Sequence, residues 1–380
     1  MMTLHGKASG AFSSITGEVT FTGRPFHSRG RAVLVTDRLG LSSLGYRGCI
    51  VSGGGRAGSC FPHHVCDVED ASHLHEGDIV SMDGSGRIRV LWEEGSSQNC
   101  LFLTERCNCR CVMCPQPPAR SDSQPFLRQA EEVLNLLRGK KISDCCLTGG
   151  EPTLAGEDFF RLLRRAALEH PEALISVLTN GRLFSDKAFV RHLAGTPSRN
   201  VLFCVSLQSE LDALHDEITG VKGSCVQTQQ GIYHLAAHGF AVEIRTVISR
   251  YNYRYLPAFA EHIGNYFPFC AHCALMGLEL HGHAEENARK LEVSPPEYAP
   301  YLKEAVRILE RRGVPVSVYN VPLCMCPEEV RPRACRSISS WKNVYLPACS
   351  FCIQKEHCCG FFSTSASLPE EFLKPFTEGE

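Results

Sequence analysis

The rhythm of apolar and polar positions changes near residue 100. Before it, short apolar runs such as Ala32-Val33-Leu34-Val35 and Cys49-Ile50-Val51-Ser52 are broken by glycine-rich stretches, notably Gly53-Gly54-Gly55. Two further runs, 78–82 and 87–92, flank Asp83-Gly84-Ser85-Gly86, a pattern that predicts two strands joined by a turn. The triple glycine has no P-loop Lys-Ser/Thr and no helical pattern after it, so it reads as a turn and not as a phosphate cradle. Residues 1–95 are predicted to form a β-rich domain of their own.

From residue 100 strand-like and helix-like segments alternate. Apolar runs at 101–104, 144–148, 174–179, 201–207 and 241–248, with a weaker one at 274–279, predict strands. Helical spacing covers 124–139, 157–169, 185–194, 224–238 and 255–264. This alternation implies βα units on a parallel sheet. About six repeats are too few for a closed eight-stranded barrel, so residues 96–290 are predicted to be an α/β domain, a partial (β/α)6 barrel. Residues 291–380 follow as a third region. They open with an amphipathic helix over 296–312, its stripe made by Tyr298, Tyr301, Leu302, Ala305, Val306 and Leu309. A strand-like 314–319 and a cysteine-rich tail complete the chain.

Composition narrows the function. The 380 residues are 43% apolar and 21% charged, values typical of a globular protein. A net charge of −2 leaves no basic footprint for nucleic acid as the main partner. No apolar run reaches membrane-spanning length and no signal-peptide core is present, so the expected location is the cytoplasm, away from membranes. The 21 cysteines in such a setting favour metal binding over a disulfide framework. Several lie within or beside apolar runs and read as packing: Cys145, Cys146, Cys204 and Cys225. Cys60, His63, His64 and Cys66 have zinc-ligand chemistry but stand too close together for the usual separated pairs. Cys270 and Cys273 form one more CxxC pair, just before the last strand-like run, and packing is the plainer reading for them too.

The chemistry-bearing residues gather where predicted strands end, the edge at which parallel α/β folds build their sites. The first strand runs into Cys107-x3-Cys111-x2-Cys114. Four thiolates normally hold a four-iron cluster, so three in one loop leave one iron for a ligand that is not protein. The next strands end in Gly149-Gly150-Glu151-Pro152, in Thr179-Asn180-Gly181 and in Ser206-Leu207-Gln208, and the fifth carries Arg245. Paired glycines let backbone approach a ligand, and Glu151 offers acceptors to an ammonium group. Each is an ordinary turn or polar residue when taken alone. Their convergence at successive strand ends is the signal.

The cysteine loop, the Gly-Gly-Glu-Pro sequence and His215-Asp216 followed by Thr219-Gly220 and Gly223-Ser224 resemble the radical S-adenosylmethionine (SAM) superfamily over roughly residues 98–280. The resemblance implies that Cys107, Cys111 and Cys114 bind three irons of a catalytic [4Fe–4S] cluster and that SAM chelates the fourth. It further implies Gly149, Gly150, Glu151 and Pro152 at the methionyl amine and Asn180 in the same pocket. Ser206 and Gln208 would lie near the ribose and Arg245 near the carboxylate. One-electron cleavage of the sulfonium would then yield a 5′-deoxyadenosyl radical that takes hydrogen from substrate, with cofactors supplying the hard chemistry and protein the orientation. Met113 stands where the superfamily often has an aromatic residue, and Cys109 is an extra thiol with no assigned role.

In the tail, Cys349-x2-Cys352-x5-Cys358 has cluster-ligand spacing, with Cys359 adjacent and Cys324, Cys326 or Cys335 available as a fourth ligand. An auxiliary [4Fe–4S] cluster, with Cys324 preferred, competes with a structural zinc ribbon. The arrangement resembles the twitch or SPASM-like extension of peptide-modifying radical SAM enzymes. Phe102 to Asn108, Met113 to Pro118, the stretch 337–343, Tyr345 to Cys349 and Cys359 to Phe362 together resemble the C-type radical SAM maturases of His-Xaa-Ser systems. That likeness implies a peptide maturase that works with a second radical SAM protein and an electron donor on a ribosomally made precursor containing His-Xaa-Ser repeats. The N-terminal domain would grip precursor or partner. Two other readings stay open: a radical SAM enzyme acting on a small molecule or RNA, and a zinc-stabilised binding protein without catalysis.

Overall fold

Alternating Val, Ile and Met positions give the first ninety residues a sheet with one face to bury. In the computed structural model, which describes residues 2–52, 63–68, 70–339, 341–365 and 372–377, eight strands form there. They are β1 (Thr3–His5), β2 (Lys7–Ala8), β3 (Ile15–Thr20), β4 (Ala32–Thr36), β5 (Gly48–Val51), β6 (His64–Cys66), β7 (Ile79–Met82) and β8 (Arg87–Trp92). The expected turn at 83–86 joins β7 and β8 as an antiparallel hairpin, with Gly86 at φ +83°. The glycines 53–55 and Cys60 lie outside the described residues, so neither the turn expected there nor the Cys60 cluster is placed. Ser340 is outside them as well.

The strand order is β1-β8-β7-β3-β4-β5-β6-β2. Its two ends are consecutive in sequence, separated only by Gly6. Residues 3–5 pair with β8 and residues 7–8 with β6, so the first strand serves both edges and the sheet closes on itself. Gly6 N donates to Gly86 O at 2.9 Å, and a Cβ on Gly6 would meet Cys66 O at 2.5 Å. Inside lie Val19, Val33, Ile50, Val65, Val80 and Ile88, all fully or nearly fully buried. Closure removes the unpaired edges that a flat sheet exposes.

This barrel does not end as a unit at residue 95. One compact unit comprises the residues up to 103 together with 122–147 and 161–175. The helix Gln124–Leu137 lies against the barrel: Gln129 Nε2 donates to Ser81 Oγ at 3.1 Å, and Arg47 pairs with Glu132 at 2.7 Å.

The second sheet contains β9 (Cys100–Phe102), β10 (Asp144–Thr148), β11 (Leu174–Thr179), β12 (Val201–Ser206), β13 (Ala241–Val247), β14 (His272–Met276), β15 (Val316–Tyr319) and β16 (Ala334–Cys335). Their spatial order is their sequence order, and β12 through β16 pair parallel. The α/β parallel fold is as expected. Two strands join beyond the six repeats counted from sequence. β15 follows the helix Pro295–Arg311, which starts at a Ser294–Glu297 capping box, and β16 has only two residues and so no periodicity to read. Both lie past residue 290, so the stretch read as a separate extension also continues the sheet. The helix expected at 185–194 is a 3-10 turn, Arg182–Ser185, then a short helix, Lys187–Arg191. Asp186 separates them by accepting from Ala188 N at 2.7 Å, as an N-cap does. No described helix is long and apolar enough to cross a membrane.

Gly86→Ala tests the closure. Its Cβ would stand 2.0 Å from Gly6 O at a positive φ, so a loss of about 2 kcal/mol or more is expected in a urea melt of the full chain. An unchanged midpoint would show that the first strand does not seal the barrel.

Candidate functional site

The site is built in the second compact unit, made of Thr104–Ser121, Thr148–Phe160 and the residues from 176 onward. The cysteine loop has almost no regular structure, so its backbone groups need partners elsewhere. It finds them on the ends of its neighbours. Gly150 N donates to Thr104 O at 2.7 Å and Glu151 N to Arg106 O at 2.8 Å. Arg110 N donates to Thr219 O and Val112 N to Ile218 O, each at 2.9 Å. His283 N donates to Cys114 O at 2.9 Å, and Asn287 Nδ2 to Val112 O at 3.1 Å.

Glycine makes these approaches possible. A Cβ at Gly149 would sit 2.5 Å from Thr104 O, and one at Gly150 would sit 2.5 Å from Arg106 O. A Cβ on Gly220 would stand 2.8 Å from Arg110 O, and one on Gly282 2.8 Å from Pro115 O and 2.9 Å from Cys114 O, both at positive φ. Backbone contacts thus hold much of the loop, and its thiols bond only locally, Cys114 Sγ to Gln116 O at 2.9 Å and Cys109 N to Cys107 Sγ at 3.4 Å.

The β11 end adds a side-chain clamp. Asn180 Nδ2 donates to Asn108 Oδ1 at 2.6 Å and lies 3.9 Å from Cys107 Sγ. Arg182 donates from Nη1 to Asn108 O, reaches Cys109 Sγ at 3.6 Å and bonds Gln227 through Nε. Cys109 itself is buried, with its thiol beside those of Cys107 and Cys111. The neighbouring Cys109 thiol, then burial, pushes the Cys107 thiol well above its usual range, and burial raises Cys114. Metal binding must displace those protons.

The other expected site residues have mixed fates. Glu151 is wholly buried, and burial raises its carboxyl although four hydrogen bonds pull it down. Oε1 accepts from Thr153 N, Thr153 Oγ1 and Thr179 Oγ1, and Oε2 from Asn180 N at 2.7 Å. The carboxylate thus ties the β10 end to the β11 end, and Pro152 opens the short 3-10 turn beside it. Gln208 is also turned inward: its Oε1 accepts from Val247 N at 3.0 Å and its N donates to the buried imidazole of His215. Burial lowers His215 to about 4, which keeps that ring neutral as an acceptor. Ser206 remains partly exposed at the end of β12, in register with Arg245.

Arg245 belongs to a network that sequence did not suggest. Its Nε donates to Glu243 Oε1, while Glu243 Oε2 accepts from His272 Nδ1 at 2.9 Å and His272 Nε2 lies 2.9 Å from Ser317 Oγ. The chain crosses β13, β14 and β15 on one sheet face, because alternate residues share a face. Burial works against ionising Glu243, but His272 and Arg245 hold its carboxyl at about 2.

Residues 101–263 match the family model described as the radical SAM superfamily. The chain carries a radical SAM domain. Among curated proteins this domain is similar to the antilisterial bacteriocin subtilosin biosynthesis protein AlbA of Bacillus subtilis (strain 168). They are 28% identical over 145 residues, 37% of this chain and 31% of that protein. GTP 3′,8-cyclase of Paenarthrobacter nicotinovorans is 32% identical over 122 residues, 31% of this chain and 32% of the cyclase. The chain thus spans about a third of the length of these curated relatives. Among solved structures, Streptococcus suis SuiB bound to S-adenosylmethionine is 16% identical with a TM-score of 0.48, covering 58% of this chain and 49% of SuiB.

The residues around the cysteine loop fit the cofactors that a radical SAM domain implies. Three thiols stand in one clamped loop, glycine backbone lies against it, and the loop's own polar groups are satisfied without them. Among the described residues no three His, Cys, Asp or Glu side chains stand close enough to hold one metal ion. A four-iron cluster places each thiolate on a different iron, so its ligands need not crowd a single point.

In the tail, Cys324, Cys349, Cys352 and Cys358 line one cavity together with Tyr345, whereas Cys326 and Cys335 do not line it. Cys335 instead points its thiol at Arg333 O. Leu323 N and Gly360 N donate to Cys358 Sγ at 3.4 and 3.5 Å. The Cys359 thiol, followed by these two N–H groups, brings the Cys358 thiol down to about 6 despite burial.

Gly150→Ala should loosen the loop: purified protein is expected to hold less iron after reconstitution and to melt earlier, and full iron retention would count against the clamp. For Glu243 the sign follows from a depressed carboxyl. Its contribution is complete above the unfolded value of 4.5 and is lost as pH falls through about 2. Glu243→Gln is therefore expected to cost about 3 kcal/mol near pH 7, with the gap to wild type narrowing toward about pH 3. A gap independent of pH would show that the ion pairs carry none of it.

Proposed function

We propose that this chain is a radical SAM peptide maturase, an enzyme that modifies a ribosomally made precursor at unactivated carbon and joins or oxidises residues there. The observation that carries the reading is the glycine-clamped loop holding Cys107, Cys111 and Cys114 within the radical SAM domain. Bound together, a [4Fe–4S] cluster and SAM supply a 5′-deoxyadenosyl radical. The three cysteines would hold the cluster, Gly149 and Gly150 would present backbone to the methionyl group, and Asn180 and Arg182 would keep the loop in place. Ser206 and Arg245 would face the nucleoside and carboxylate ends.

The peptide reading draws on the similarity to AlbA, a bacteriocin biosynthesis protein. It draws also on the second thiol set, whose shared cavity suits an auxiliary [4Fe–4S] cluster held by Cys324, Cys349, Cys352 and Cys358. A precursor with His-Xaa-Ser repeats, a second radical SAM protein, an external electron donor and a cytoplasmic setting complete this reading. The similarity to GTP 3′,8-cyclase favours a second reading, an enzyme acting on a small molecule.

Anaerobic reconstitution tests the first step. Wild type is expected to take up iron at both thiol sets and to cleave SAM when dithionite is added. The variant Cys107→Ala, Cys111→Ala, Cys114→Ala should lose cleavage yet keep the tail's iron. Cys324→Ala should lower that remaining iron, and Cys326→Ala should not. Mass spectrometry of precursor co-expressed with the neighbouring gene products should find peptide lighter by two hydrogens per event. Zinc in place of iron, with no SAM cleavage, would remove the enzyme reading, and cleavage with an unchanged precursor would leave the small-molecule one.

A further inference from the structure

The hydrogen-bonded chain across β13, β14 and β15 ends at a hydroxyl with an opening in front of it. Ser317 Oγ lies 2.9 Å from His272 Nε2, and His272 Nδ1 lies 2.9 Å from Glu243 Oε2. A carboxylate at one ring nitrogen fixes the proton there, which leaves the other nitrogen to accept from the hydroxyl. Arg245 takes the second carboxylate oxygen, and His272 and Arg245 together keep Glu243 ionised against its burial. His272 and Ser317 also line a cavity of about 370 Å³, together with Arg333, Pro315 and Val316. Both side chains are only partly buried, so the opening reaches them. Neither belongs to the cysteine-loop site. The partners of that loop follow strand ends, whereas His272 opens β14 and Ser317 stands second in β15.

We infer that Ser317 and His272, with Glu243 as positioning residue, form a second active site, a serine acyl-transfer centre for small uncharged acyl esters. A hydroxyl within reach of a base, and that base within reach of a carboxylate, is the arrangement that activates a serine. His272 Nε2 takes the hydroxyl proton as Ser317 Oγ bonds to the ester carbonyl carbon. Glu243 stabilises the imidazolium so formed. The imidazolium then gives its proton to the departing alcohol oxygen as the ester C–O bond breaks. Water attacks the acyl–serine by the same route, releases the carboxylic acid and restores the hydroxyl. No oxidant, reductant or cofactor is consumed, so the site stands independently of the maturase reading. Arg333 is the cation in this wall, suited to a carbonyl oxygen that gains charge, and Glu310 anchors its Nε at 2.6 Å. Size and charge decide the substrate class. A cavity of about 370 Å³ is near the small end of ligand sites, and Pro315 and Val316 make part of its wall apolar. The Arg333 charge is already offset by Glu310, which lines the same wall, so an uncharged short acyl group fits best. A chain that only tied three strands together would need no opening at its hydroxyl end.

The test treats the full reconstituted chain with a fluorophosphonate probe, which reacts with activated serine hydroxyls. Mass spectrometry of the digest should find the phosphonate on Ser317, and prior treatment with phenylmethylsulfonyl fluoride should prevent it. Ser317→Ala should abolish labelling, and His272→Gln should slow it about a hundredfold or more, because the base is lost. Hydrolysis of p-nitrophenyl acetate should fall in step. Glu243→Gln, assayed where it is still folded, should slow labelling about tenfold or more, a change that loss of stability alone does not produce. Melting midpoints are measured alongside, and Ser317→Ala, which removes one partly exposed hydroxyl, should melt as wild type does. Urea-unfolded wild type should take up no probe. Wild type left unlabelled overturns the proposal, as does label that persists in Ser317→Ala. Folded His272→Gln labelled at the wild-type rate overturns it too, since Ser317 would then be an ordinary hydroxyl in a structural chain. Should His272→Gln fail to fold, wild type and Ser317→Ala still decide.

Discussion

Backbone contact between the cysteine loop and the ends of its neighbours is the constraint on which the site depends. A loop of this length carries donors and acceptors that must be paired when partly buried. Side chains supply part of the pairing, Arg182 donating to Asn108 O and Asn287 to Val112 O. Carbonyls 104, 106 and 114 and the amides of 110 and 112 are taken by the backbone of residues 150–151, 218–219 and 283. That solution needs backbones closer than a Cβ allows, and four glycines provide it. Gly-Gly-Glu-Pro is then a mechanical part as much as a ligand-facing one. Its glycines lie against the loop, and its glutamate ties β10 to β11 from below.

The strands and helices of the second sheet were legible because apolar periodicity is strong there: β10, β11 and the helix Glu157–Glu169 fall where the pattern puts them. The cysteine loop was legible through spacing. The position of Glu151 in sequence was informative, but its orientation was not, because burial of a carboxylate depends on donors from Thr179 and Asn180, which are distant in sequence. His283 and Asn287 were missed for a related reason. They lie in a short, aperiodic segment, and only Gly282 beside them hinted at a close approach. The Glu243, His272 and Ser317 chain could not be read at all, since it requires the register of three strands.

The N-terminal barrel shows what local pattern omits. Individual strands at 32–36, 48–51, 79–82 and 87–92 follow from composition, whereas closure follows from one residue, Gly6, that lets a single strand pair on both sides. A closed sheet has no free edge for an extended peptide to join. A precursor held by this domain must therefore be held through side chains. Among the described residues there, Phe26 and Leu41 are the most exposed large apolar groups, 72% and 85%, and Arg29 lies over the Phe26 and Tyr46 rings.

Net charge describes this chain poorly at the scale that matters for its partners. The total of −2 comes from 39 basic and 41 acidic residues, yet the pairing is uneven: Arg161 pairs with Glu131 and Arg312 with Glu261, whereas Arg106, Arg110 and Arg120, all exposed beside the cysteine loop, have no carboxylate partner among the described residues. Exposed charges act over about 8 Å at physiological salt, so an approaching molecule responds to that local set and not to the sum. A total near zero is fully compatible with one small cationic opening beside the cysteine loop.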